Sequence, residues 1–219
     1  MRASGAVHDP ARASRAGGGA NGGQGDRKPR LGLLGGTFDP PHNAHLQMAR
    51  SALAAGLVDE VVVIPAGDPW QKIPDTPAAD RLAMTRLAFH DEPYCIVDDL
   101  EVRRQGPTYA FDTVATMHSP HLQLRYIIGS DTLALLPTWH RIEELVRMCS
   151  FLVVERPGAF VIAPDVDGLR FEVVPGSESA DASTSIREQI PRTRQRPAEV
   201  PLTVWEYIVT HGLYGVRHA

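Results

Sequence analysis

Residues 31–45 read Leu-Gly-Leu-Leu-Gly-Gly-Thr-Phe-Asp-Pro-Pro-His-Asn-Ala-His. The apolar run at 31–34 stops at Gly35-Gly36, as a strand buried on both faces does. From Asn43 to position 55 the spacing is helical, with Leu46, Ala49 and Leu53 on one side. A strand that passes through two glycines into a helix lets the backbone approach an anion closely. The N–H groups and positive dipole end of the helix then favour phosphate. His42 and His45 are three residues apart, so a helix start gives them a common face. Each imidazole donates a hydrogen bond when neutral and adds charge when protonated, which suits charge developing on phosphorus. The bland alternative is a pair of capping or partly exposed histidines. A metal pair is disfavoured, because no nearby Cys or third His completes it, and no metal site is expected.

Outward from this stretch, strands and helices alternate. Strand-like runs fall at 61–64, 95–97, 124–128, 151–154 and 171–174. Helical spacing falls at 79–89 (Leu82, Thr85/Arg86, Phe89), 109–117, 142–148 and 203–211, the last with Val204, Ile208 and the contact residue Trp205. Uninterrupted apolar strands between helices imply an α/β fold with a mostly parallel sheet flanked by helices. Such sheets bind ligands outside the carboxyl ends of their strands. The loops after the strands are therefore where function is sought.

Composition bounds the answer. The chain has 219 residues, 43% apolar and 22% charged, with a net charge of −4. Residues 1–30 carry +4 and the remaining 189 carry −8, so an acidic body argues against a broad nucleic-acid face. No apolar run approaches the ~18 residues of a membrane span. Cys95 and Cys149 form no disulfide framework; buried free thiols and a reducing, cytoplasmic setting are expected. Residues 1–30 contain seven glycines and read as a disordered extension. Their literal G-x-G-x-x-G at Gly17, Gly19 and Gly22 has no strand before it and no helix after it, which the dinucleotide fingerprint requires. Residues 31–215 read as one domain with a small helical part from about 183, and 216–219 as a tail.

Three further stretches carry candidate chemistry. Ser183, Thr184 and Arg187 precede a short helical pattern: the hydroxyls can cap it and the guanidinium can clamp phosphate oxygens, unless this is an ordinary cap beside a solvated Arg. Lys72 is the only lysine of the body in a chain with 20 arginines, and it follows the second strand. Gly129-Ser130-Asp131 ends the strand at 124–128, where a carboxylate either accepts from ribose hydroxyls or caps the helix from Thr132. Arg192, Arg194 and Arg196 read as a solvated loop.

GGTFDPPHNAH (35–45) resembles the nucleotidylyltransferase signature of His or Thr, any residue, Gly, His, with Ala44 in place of Gly. ASTSIR (182–187) resembles the family's second signature, with Ala182 replacing a serine. The resemblance implies a Rossmann-like fold of the nucleotidylyltransferase type. It implies ATP contacts at Gly35, Gly36, Thr37, Phe38, His42, His45, Gly129, Asp131, Ser183, Thr184 and Arg187. IGSDTLALLPTWHRIEEL (127–145) and GPTYAFDT (106–113) are similar to the nicotinate-mononucleotide adenylyltransferase branch, and HGLYG (211–215) is a family-like close.

For that branch the resemblance implies Trp139 stacking on the pyridine ring. Thr108, Tyr109, Ala110 and His140 would line the acceptor site, with Lys72 among the substrate contacts as a triphosphate ligand and backbone N–H groups near Ala110 and His140 facing the nicotinate carboxylate. Ala110 stands where the family has Thr. Trp70 and Trp205 read instead as loop cover and core. The implied reaction moves AMP from ATP to nicotinate mononucleotide, releasing pyrophosphate, with His42, His45, Lys72 and Arg187 as the catalytic set and Mg²⁺ carried mainly by ATP. The alternatives are another phosphate acceptor, such as nicotinamide mononucleotide or phosphopantetheine, and a non-catalytic nucleotide-binding module prompted by Ala44, Ala110 and Ala182. All of this requires His42, His45 and Arg187 to converge on one cleft.

Overall fold

After Arg30 the run holds only leucine and glycine, and Leu31, Leu33 and Leu34 become the buried middle of the first strand, β1 (Arg30–Gly36). The computed structural model describes residues 27–156, 158, 161–176 and 183–216. The Gly-rich motif at 17–22 and Ala182 lie outside the described residues. Arg27 and Arg30, read as the end of the extension, both pair with Asp59.

After β1 the chain forms α1 (Asn43–Ala54), β2 (Glu60–Pro65), α2 (Ala78–Ala88), β3 (Cys95–Val97), α3 (Leu100–Arg103), α4 (Ala110–Met117), β4 (Gln123–Gly129) and α5 (Ser130–Leu133). It continues through α6 (Ile142–Met148), β5 (Ser150–Val154), β6 (Phe171–Val174), α7 (Ser183–Thr193) and α8 (Leu202–Thr210). Single 3₁₀ turns cover Leu136–Thr138 and Leu213–Gly215. The six strands lie in the order β3-β2-β1-β4-β5-β6, and every neighbouring pair is parallel. The order reverses between β1 and β4, which opens a crevice at their carboxyl ends, beyond Gly36 and Gly129.

The apolar reading holds best at the centre. Val61–Ile64 of β2 and Phe151–Val153 of β5 are fully buried. It fails at the two edges: Ile96 of β3 is 43% exposed and Val173 of β6 is 42% exposed, because an edge strand lacks a neighbour to cover it. Cys149 is buried, whereas Cys95, on the edge strand, is only half-buried; both are free thiols. One face of the sheet is covered by α1, α2, α7 and α8, through Ala49, Met84, Ile186, Val204 and Ile208, with Trp205 packed against them. The other is covered by α4 and α6, through Phe111, Val114, Leu145 and Val146. No described helix is long and apolar enough to cross a membrane.

Helix α2 keeps its expected register at Leu82, Thr85 and Phe89, all buried, and departs from it at the arginines. Arg86, placed on the inner side by periodicity, is exposed, while Arg81 is 1% exposed. The inner face runs through Arg81, Leu82, Met84, Thr85 and Ala88, because the guanidinium finds hydrogen-bond acceptors inside.

Candidate active site

The crevice is a cleft of about 350 Å³, within the range of small-molecule sites. Every residue singled out from the sequence as a contact lies on it: Gly35, Gly36, Thr37, Phe38, His42, His45, Lys72, Thr108, Tyr109, Ala110, Gly129, Asp131, Trp139, His140, Ser183, Thr184 and Arg187.

The glycines of the first loop have a reason beyond access to an anion. A Cβ on Gly35 would stand 2.2 Å from the Tyr126 hydroxyl, and one on Gly36 would stand 3.1 Å from the Phe38 ring. Gly35→Ala is therefore expected to cost about 1–3 kcal/mol by overpacking. Adding Tyr126→Phe removes the colliding oxygen, and urea unfolding of the double variant should recover most of the loss. Phe38 follows with φ +51°, a left-handed conformation unfavourable for a bulky residue. Its ring is held in place by burial against Phe89 and His45.

His42 is not inside the helix but is its N-cap, in extended conformation, and His45 is the third helical residue. The two form a reciprocal capping box, and their ring centroids are 3.9 Å apart. The bland reading and the functional one thus coincide in geometry. The His42 backbone N–H donates to Nδ1 of His45 at 3.2 Å. That bond leaves His45 with its proton on Nε2. Burial, then the neighbouring His42, Arg156 and Lys72, hold the His45 imidazole well below the usual histidine range. His45 is therefore a neutral donor at neutral pH rather than a cation.

Asp39 sits at the centre of the loop with its carboxylate 2% exposed. It accepts from the Asp75 backbone N–H at 2.6 Å, the Thr76 hydroxyl at 2.7 Å and the Tyr214 hydroxyl at 2.7 Å. Its carbonyl accepts from Arg187 Nη1 at 2.8 Å.

Ser183 and Thr184 do not cap α7; they are its first two residues. The Ser183 hydroxyl donates to the Pro40 carbonyl at 3.1 Å, and Arg187 Nη2 donates to the Thr184 hydroxyl at 3.4 Å. The start of α7 is thereby tied to the loop that carries His42. Arg187 also forms an ion pair with Asp75. Asp131 likewise does not cap the helix from Thr132, since α5 begins at Ser130. It pairs with Arg156 at 3.4 Å, and the Arg156 backbone N–H donates to the Ser130 hydroxyl at 3.0 Å. Arg192, Arg194 and Arg196 lie outside the cleft; all three are exposed, and Arg196 donates to the Val200 carbonyl.

The wall on the α4 side is aromatic. Tyr109 packs 4.4 Å from His140 and 6.0 Å from Trp70, which is 44% exposed over the opening. Trp139 is held edge-to-face by Tyr126 at 5.5 Å and Phe151 at 6.3 Å. Its indole N–H is buried with no acceptor among the described residues. The Thr108 hydroxyl donates to the Asp68 carbonyl at 3.0 Å, so only its lone pairs remain for a ligand.

Four participants have no role in the motifs read from the sequence. Arg156 brings a cation to the end of β5. Glu101 is a buried carboxyl on the cleft, pushed up by desolvation and bonded to the Thr113 hydroxyl. Asp39 stood inside a quoted motif without a role. Arg81 donates to the carbonyls of Thr76 (3.2 Å), Thr37 (2.8 Å), Ala66 (2.6 Å) and Gly67 (2.9 Å), joining the loops after β1 and β2.

Comparison with known proteins gives the family and the fold. The cytidylyltransferase-like family matches residues 33–189. A probable nicotinate-nucleotide adenylyltransferase of Dehalococcoides mccartyi is 38% identical over 200 residues, covering 84% of this chain and 97% of the relative. The nicotinate-nucleotide adenylyltransferase of Bacillus subtilis is 37% identical over 189 residues, covering 84% and 98%. In fold, the chain is similar to Plasmodium falciparum nicotinic acid mononucleotide adenylyltransferase complexed with NaAD, with a TM-score of 0.70 at 20% identity over 86% of this chain and 98% of that one. Two signatures converging on one parallel-sheet crevice, and relatives matched over nearly their whole length, place the chain in the nicotinate-nucleotide adenylyltransferase family of cytidylyltransferase-like proteins.

Proposed function

We propose that this chain transfers AMP from ATP to nicotinate mononucleotide, giving deamido-NAD and pyrophosphate. The observation that carries the reading is one cleft in which the His42–His45 pair, Lys72 and Arg187 face an aromatic wall at Tyr109, Trp139 and His140. Helices α1 and α7, which carry His45 and Arg187, pack on one face of the sheet, and α4 and Trp139 pack on the other, so polyphosphate and pyridine have separate subsites. The names of the relatives support the same acceptor.

In the reaction a mononucleotide phosphate oxygen bonds to the α-phosphorus of ATP, and the bond from that phosphorus to the β-phosphate bridging oxygen breaks. The nucleophile is already ionised, so positioning and charge stabilisation are the work required. Neutral His45 donates from Nε2 towards the α-phosphate oxygens. Lys72, Ser183, Thr184 and Arg187 hold the departing pyrophosphate, and Asp131 receives the ribose. Mg²⁺ would be carried mainly by the triphosphate, where it would neutralise charge on the phosphate oxygens. The side chains offered to the phosphates are cations and neutral donors, and the buried Asp39 carboxylate beneath them is filled by three donors. The reading places the enzyme in the cytoplasm, where free thiols such as Cys95 and Cys149 persist.

The test is pyrophosphate release from ATP and Mg²⁺ with nicotinate mononucleotide, nicotinamide mononucleotide or phosphopantetheine. Release with the first, and at least about tenfold less kcat/KM with the others, is expected, because backbone donors favour an anionic carboxylate over a carboxamide. Equal use of the amide would assign the loss of selectivity to Ala110, and release with none of the three would leave a nucleotide-binding module.

A further inference from the structure

We propose that Tyr214, in the HGLYG close of the chain, is a positioning residue of the active site, fixing through Asp39 the loop that presents His42 and His45. The inference rests on the adenylyl-transfer reading for its kinetic consequence, though not for its structural one. Tyr214 stands 175 residues from Asp39 in sequence, yet its hydroxyl donates to Asp39 Oδ1 at 2.7 Å. The same oxygen accepts from Thr76, and the other from the Asp75 N–H. A carboxylate this deeply buried needs donors on both oxygens to remain in place.

The backbone shows that the hydroxyl is placed at a cost. Tyr214 has φ +52° and ψ +32°, between Gly212 at φ +61° and Gly215 at φ +76°. The two glycines adopt such angles freely, whereas a residue with a β-carbon does so only when its surroundings hold it. The partly buried ring packs against the core, and the hydroxyl's bond to Asp39 adds a second hold on the strained residue. Burial and the adjacent Asp39 carboxylate push its pKa upward, which keeps the hydroxyl a donor.

Asp39 is followed by Pro40, Pro41 and His42, so a shift at its carboxylate reaches the N-cap of α1 within three residues. The same segment anchors α7, through Arg187 on the Asp39 carbonyl and Ser183 on the Pro40 carbonyl. Tyr214 thus closes a ring that joins the imidazole loop, the Lys72 loop and the Arg187 helix.

The test compares the parent, Tyr214→Phe, Thr76→Val, His45→Ala and the Tyr214→Phe/His45→Ala double variant. Tyr214→Phe should keep the parent far-UV circular dichroism and lose about 10–100-fold in kcat, the scale of a sub-ångström to 1 Å misplacement. Its KM for nicotinate mononucleotide should stay within about threefold, since the aromatic wall is untouched. In the His45→Ala background the same change should cost clearly less than in the parent, because much of its effect acts through that imidazole. Independently of turnover, the ¹⁵N imidazole resonances of His45 should move from the Nε2–H tautomer towards a mixture. Equal penalties with and without His45, a kcat near the parent value, or unchanged imidazole resonances would each overturn the proposal. If the parent itself releases no pyrophosphate, the functional reading fails, while the imidazole spectrum still decides the positioning role. Should Tyr214→Phe not fold, Thr76→Val takes its place, since it removes a donor to the same Oδ1.

Discussion

His45→Ala is expected to lower kcat by about 10²–10³-fold, the usual cost of removing one donor aimed at charge that develops in a transition state. ATP affinity should fall by less than about tenfold, because a neutral hydrogen bond to the ground state contributes only ~1 kcal/mol. The asymmetry follows from geometry. The bond from the His42 N–H to Nδ1 fixes the ring and leaves a single Nε2 proton for the ligand. A fixed donor costs no reorganisation when charge appears on the phosphoryl oxygens. The pH behaviour separates this account from one in which an imidazolium neutralises phosphate. Burial, with His42, Arg156 and Lys72 nearby, depresses the His45 pKa in the folded state. Between the ordinary histidine value near 6.5 and the lower folded value, the unfolded chain binds a proton that the folded chain does not. Stability contributed by His45 is therefore present above about pH 6.5 and is lost as pH falls through the folded value. Turnover should show no step attributable to His45 near 6.5. A kcat that rises as pH drops through 6.5, and a His45→Ala variant that abolishes that rise, would show a cationic mechanism instead.

Much of this site was legible before any coordinates. The central strands announce themselves because they bury both faces, and the loop after β1 because glycines, a helix start and two imidazoles coincide within eleven residues. What the sequence left out is long-range or counter-intuitive chemistry. The donors to Asp39 come from positions 75, 76 and 214, so no local pattern marks that carboxylate. Ser183 and Thr184 look like caps because hydroxyls usually are, but their hydroxyls are turned to the Pro40 carbonyl and to Arg187. The edge strands β3 and β6 share the apolar composition of the central ones and differ only in having one neighbour, which composition cannot express. Arg81 was overlooked because a charge on a helix is ordinarily read as its wet face. The available signal was its spacing: Thr85 and Ala88 stand four and seven residues on, and they share its side of α2.

That buried arginine yields the second large effect. Arg81→Met is expected to cost about 3 kcal/mol and to lower Tm by roughly 6–12 °C, while keeping the volume of the side chain. Methionine fills the space but donates nothing, so the carbonyls of Thr37, Ala66, Gly67 and Thr76 lose the four hydrogen bonds that the guanidinium supplies. Part of that loss is offset, because removing a buried charge also removes its desolvation penalty. That penalty is visible in the arginine itself, whose pKa burial pushes down despite the facing Asp39 and Tyr214. Arg81→Lys keeps a charge but gives up the planar fork, and a single ammonium cannot span carbonyls on three segments, so it should fall between Met and the parent. The loss should also reach catalysis. Thr37 belongs to the loop of His42, while Ala66 and Gly67 begin the segment that carries Lys72. Without the fork, the spacing between them rests on the bonds of the Asp39 carboxylate to Asp75 and Thr76. At temperatures well below its Tm, Arg81→Met should still show a reduced kcat/KM. Thermal unfolding alongside turnover decides the matter: a Met variant as stable and as active as the parent would mean that these carbonyls find other donors and that the charge is incidental to the cleft.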